Sequence, residues 1–131
     1  MSLSDTAWRR IFLLKGAYNI IVSLALLIWS AQLLPLLGTP AGNPAYPQMF
    51  FLLCLAFGVG YCAVGLDLDA NAGIVVMGII GQLSVFVALF WQWKSGAVYV
   101  PALVSGLIDL VFALAFALFL WTHTYPLHRP G

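Results

Sequence analysis

Residues 102–121 read ALVSGLIDLVFALAFALFLW, an apolar run in which a single ionisable side chain, Asp109, stands near the middle. At 1.5 Å per residue such a run is about 30 Å long as a helix, the thickness of a bilayer's hydrocarbon core. An aspartate at the centre of a spanning helix costs about 2.5 to 3.5 kcal/mol on insertion scales, so it faces protein or water and has a partner. The rest of the chain must supply that partner.

The composition agrees with a membrane setting. Of 131 residues, 63% are hydrophobic and 7% charged, whereas soluble domains carry about 25% charged residues. Three more apolar runs, Ile11 to Leu34, Gln48 to Leu66 and Gly73 to Trp93, are each about 19 to 24 residues long, enough to span. The reading is a single all-α integral membrane domain over residues 1–131, a four-transmembrane-helix bundle. A net charge of +1 without clustered Lys or Arg excludes a nucleic-acid-binding face. Cys54 and Cys62 are eight residues apart in one run. On a helix that is about 12 Å, beyond disulfide reach. Arg9 and Arg10 precede the first run as they would in a secretion signal, but the run exceeds an h-region of about 7 to 15 residues and is read as a retained helix.

Ser4, Asp5 or Thr6 is placed to cap the first helix. Trp8, Arg9 and Arg10 follow as an interfacial anchor, and Lys15, one turn further in, is expected to snorkel to the headgroups. Counted from Lys15, Asn19, Ser23 and Ser30 fall within a sector of about 80°, a polar wall. Pro35, Gly38, Pro40, Gly42, Asn43, Pro44 and Pro47 mark a loop. In the second run Cys54, Gly58, Tyr61, Cys62 and Gly65 share about 100° of arc, a small-residue face that lets a neighbour approach closely. Asp67, Asp69 and Asn71 form an acidic turn. Gly78 and Gln82 share a face of the third run, which ends in the aromatic belt of Trp91, Trp93 and Lys94. Ser105, Asp109 and Ala113 recur at every fourth position of the last run.

Arg9, Arg10 and Lys15 flank one end of the first helix and Arg129 follows the fourth, while only Lys94 lies opposite. The positive-inside rule then expects both termini in the cytoplasm, in a multi-pass protein of the plasma (inner) membrane. Gln82 and Asp109 come at similar depth on consecutive helices, so Gln82 is the expected partner of Asp109. Tyr18, Tyr61, Lys15 and Asp67 are expected nearer the interface, with Lys15 and Asp67 as an ion pair.

Three states are open to Asp109: a protonated acid bonded to Gln82, an anion held by donors or water, or a group that changes between them, since desolvation disfavours the charge. As a binding site it would draw on Gln82, Asn19, Ser23 and Ser105; as a packing device the same residues fasten helices together. His123 and His128 are five apart with Pro126 between them, a poor metal spacing. No metal site is expected. No histidine lies in the runs, and no carboxylate pair, nucleophilic triad or phosphate loop is visible. No cofactor is expected.

Asn19, the Gly58-Val59-Gly60-Tyr61 segment, the Asp67 to Asn71 turn, Gly81-Gln82 and Asp109 together resemble small uncharacterised bacterial four-helix membrane proteins, loosely of the DoxX-like kind, in length, helix count and scattered polar positions. The resemblance implies a fold and carries no catalytic motif. Small multidrug transporters are of similar size but have an essential Glu in the first helix, where this chain has Lys15 and Asn19. The expected function is a non-enzymatic accessory or assembly subunit, in a homo-oligomer or a larger membrane complex. The alternative is a small-solute or proton-coupled transporter using Asp109. An enzyme acting on an apolar substrate has least support, because general acid–base chemistry needs a second positioned group.

Overall fold

The computed structural model describes residues 3–39 and 42–124, so Pro40 and the tail residues Tyr125, Pro126, His128 and Arg129 lie outside the described residues. The regular elements are all helical: α1 (Asp5–Ile28), α2 (Ser30–Leu33), a 3-10 turn (Leu34–Leu37), α3 (Ala45–Leu66), α4 (Ala72–Lys94) and α5 (Val100–Thr124). α1, α3, α4 and α5 are long and apolar enough to cross a membrane. The chain is thus a small multi-pass membrane protein built as a four-helix bundle.

The first helix is shifted from its apolar run. Ser4 caps it, its Oγ accepting from Ala7 N at 3.2 Å, so α1 starts at Asp5 and includes the charged turn that precedes Ile11. It ends where Trp29 leaves the helical region at φ −112°, ψ 36°. Pro35 then begins a 3-10 turn that closes on Gly38 at φ 85°, a left-handed conformation that glycine adopts without steric cost. A Cβ at Gly38 would also sit 2.8 Å from Tyr99 N, whose N–H donates to Leu37 O at 2.9 Å. This contact ties the first connection to the start of α5.

Lipid tails are as apolar as leucine, so close packing and polar bonds, rather than burial of apolar area, must hold the helices together. The helices pack most closely as two pairs, α1 with α3 and α4 with α5. Gly16 and Gly58 bring α1 and α3 together: a Cβ on Gly16 would lie 2.5 Å from Cys62 Sγ, and one on Gly58 2.9 Å from Asn19 Cβ. Gly65 continues the seam beside Leu13 and Arg9. Arg9 Nη1 then donates to Gly65 O at 3.3 Å and Leu66 O at 2.7 Å, satisfying the last carbonyls of α3 with a cation at the favourable end of the helix dipole.

The two pairs meet through an aromatic core at the end of the bundle where α1 starts and α5 finishes. Trp8, Phe12, Tyr61, Val64, Val75, Phe116 and Phe119 are buried there. Phe12 stacks on Phe116 at 4.4 Å and Trp8 meets Phe119 edge-on at 5.3 Å, arrangements worth about 0.5 to 1.5 kcal/mol each beyond area. His123 stacks on Phe119 at 4.4 Å and lies 3.3 Å from Asp5 Oδ1. Tyr61 is 2% exposed and covers Gly78, where a Cβ would lie 2.7 Å from its ring.

Gly58→Ala should force α1 and α3 apart and lower stability by about 1 to 3 kcal/mol. Gly73→Ala, where a Cβ meets nothing within 4 Å, should be neutral or slightly stabilising. Thermal unfolding in a mild detergent measures both, and equal effects would remove the glycine contact as a determinant of the fold.

Candidate functional site

Trp8, Phe12, Lys15, Asn19 and Ser23 lie along one face of α1, at the three- and four-residue steps that make a helical stripe. The first two enter the aromatic core, and Lys15 continues the same face about 15 Å from the start of α1. Its side chain is 1% exposed. Nζ donates to Asp109 Oδ1 on α5 at 2.6 Å and to Asn19 Oδ1 at 2.8 Å. An ammonium has three N–H groups; its remaining surroundings are the Tyr18 ring at 4.8 Å and the Phe112 ring at 5.5 Å to their centroids, distances at which a cation is attracted to a ring face. Asn19 Nδ2 donates on to Cys54 O of α3 at 3.3 Å, and Tyr18 Oη is 3.5 Å from Ser105 Oγ of α5. One polar network therefore spans α1, α3 and α5.

This differs from the expected pairing in three respects. Lys15 does not snorkel to the headgroups, Asp67 is not its partner, and the group bonded to Asp109 is Lys15 rather than Gln82. Lys15 shares the face of α1 on which Trp8 and Phe12 enter the core, and the stripe points it inward. Its four-carbon stem then reaches α5. Asp67 stays exposed in its turn, with Oδ1 accepting from Asp69 N at 3.1 Å.

Gln82 is 5% exposed and turns back on its own helix, Nε2 donating to Gly78 O at 3.1 Å. A carbonyl can only accept, so this bond fixes the amide's orientation. Among the described residues its buried Oε1 has no hydrogen-bond partner. Leaving a buried acceptor unmatched costs about 1 to 3 kcal/mol; among the described residues the other such buried atom is Trp8 Nε1, in the aromatic core.

Gln82 and Asp109 line one cavity of about 250 Å³ together with Tyr18, Asn19, Ser23 and Ser105. Cys54, Phe57 and Tyr61 of α3 and Gly81 of α4 complete its wall beside them. The structure thus brings Asp109, Gln82, Asn19, Ser23 and Ser105 to one space, with Tyr18 and Tyr61 at its edge and Asp67 outside it. A larger cavity, about 480 Å³, lies under the Pro-rich loop between Leu26, Pro35, Asn43 and Phe51, and carries no ionisable side chain. The smaller one holds the chemistry: the carboxylate of the ion pair, the Asn19 and Gln82 amides and the hydroxyls of Tyr18, Ser23, Tyr61 and Ser105, among apolar walls. Among the described residues no group of three or more His, Cys, Asp or Glu side chains is placed to hold a metal ion.

Lys15→Met should destabilise the protein by about 3 to 5 kcal/mol, because it strands a buried carboxylate, whereas Lys15→Met with Asp109→Leu should recover most of that loss. Thermal or denaturant unfolding of the single and double variants in detergent measures the coupling; a double variant as unstable as the single would show that the two charges do not depend on each other. No protein-family model, curated protein or solved structure matches this chain, so the expected DoxX-like relationship has no match behind it.

Proposed function

We propose that this chain is a membrane carrier for a small solute, bound inside the bundle between the two helix pairs. The observation that carries this reading is Gln82, which lines the same cavity as Asp109 and whose buried Oε1 has no hydrogen-bond partner among the described residues. An intramembrane ionisable residue facing a cavity is a candidate site on physical grounds, since lipid-facing or purely structural positions are served more cheaply by apolar groups. Lys15 cancels the charge of Asp109, so the empty site carries none through the hydrocarbon region.

The helix arrangement supports movement as well as binding. α1–α3 and α4–α5 are each closely packed, whereas α3 and α4 touch less. Both halves are joined at the aromatic core. Rocking of one packed pair against the other about that core would change access to the cavity without opening either pair, as in transporters that alternate around a fixed site. The accessory-subunit reading, in which each polar residue is a packing device, accounts for Asn19 bonding across to α3 and for Arg9 capping it. It leaves the Gln82 oxygen and the cavity beside Asp109 without a role.

Purified in mild detergent from the membrane that makes it, the wild-type protein should retain a small non-lipid solute detectable by extraction and mass spectrometry. Gln82→Leu, and the charge-free Lys15→Met/Asp109→Leu pair, should retain at least tenfold less while staying folded. Equal solute content in all three, or none in any, would return the polar residues to packing and favour the accessory role.

A further inference from the structure

The chemistry of the cavity restricts what it can hold, given that it is a solute site as proposed above. Lys15 and Asp109 already neutralise each other at 2.6 Å, so a ligand of either charge would bring an uncompensated ion into a low-dielectric space, at a cost of several kcal/mol. Among the described residues Gln82 Oε1 is a buried acceptor without a hydrogen-bond partner, and the Asp109 carboxylate accepts only from Lys15, at Oδ1. A fitting ligand therefore brings a donor. The remaining wall is apolar, with Val22, Phe57, Val85 and Leu89 around the polar groups, and the volume of about 250 Å³ lies just below the range of about 300 to 1,000 Å³ usual for drug-sized ligands.

The surroundings of the cavity point the same way. Near the α3–α4 turn the seam is closed, with Tyr61 against Gly78 and Ile74 against Gly60. At Gly81 it is loose: a Cβ there would meet only Phe57 Cζ, at 3.9 Å. Phe50 and Leu53, which line the cavity from α3, are also 43% and 61% exposed on the outer surface of the bundle. In a bilayer that surface meets acyl chains, where uncharged apolar solutes concentrate and ions do not.

We infer that the cavity binds a compact, uncharged, mainly apolar molecule carrying one hydroxyl or N–H donor, which is accepted by Gln82 Oε1 while its apolar body fills the space between α3 and α4. Three probes of the same ring system test this on the protein in lipid nanodiscs, with protein-free nanodiscs of the same lipid as the partition baseline. They are 1-naphthol, which has the donor; naphthalene, which lacks it; and 1-naphthoate, which is charged. Saturable binding of 1-naphthol at one per chain is expected, with naphthalene and 1-naphthoate at least tenfold weaker. Gln82→Leu should bring 1-naphthol down to the level of naphthalene, and Gly81→Leu, which fills the loose part of the seam, should abolish saturable binding of every probe.

Equal binding of 1-naphthol and naphthalene, both lost in Gly81→Leu, would overturn the donor requirement while leaving the solute site standing. Preferential binding of 1-naphthoate would overturn the requirement for zero charge. Absence of saturable binding by any probe would overturn the ligand class, and the co-purified solute then decides the fate of the site itself. Should Gln82→Leu unfold, the naphthol-to-naphthalene ratio on the wild-type protein and the Gly81→Leu variant decide the matter alone.

Discussion

A lysine and an aspartate that meet at 2.6 Å in the middle of an apolar bundle set the terms for everything around them. Either charge alone would be costly in a bilayer; together they are tolerable only if the other hydrogen-bonding positions are filled. The Asn19 amide and the Tyr18 and Phe112 rings fill those of the ammonium. To bring Asp109 within reach, α5 must face α1 at this level, and to let Asn19 bridge onward to Cys54 O, α3 must press against α1 at Gly58. The register of three helices is thereby coupled to one contact.

Around that contact the two ends of the bundle divide the work. The end where α1 begins and α5 finishes is filled by large rings packed against one another. Further along, the spacing changes. Glycines keep α1 against α3, but α3 and α4 diverge beyond Tyr61 and Gly78, and the space between them is left partly empty at the level of Asp109 and Gln82. A tightly packed end joined to a looser, polar middle is compatible with the solute carrier proposed above, because the middle could adjust without unravelling the fold.

The amino-acid sequence by itself determined the class. Four apolar runs of spanning length, almost no charge, and a Pro- and Gly-rich connection allow little besides a helical membrane bundle, because backbone polar groups in lipid must be satisfied within each segment. The inward faces were legible as well: Gly58 and Tyr61, Ser23, Gly78 and Gln82 are buried in the structure, as their small size or polarity implied. The partner of Asp109 was decided only by the tertiary structure. Similar depth and a short connection favour Gln82, yet Lys15, on the buried face of α1, reaches Asp109 across the bundle. The sign was available in the stripe from Trp8 through Phe12 to Lys15, which marks an inward face. Whether the lysine on that face rises to the headgroups or crosses to another helix depends on where α5 stands, and helix positions are set by contacts between segments that are remote in the chain.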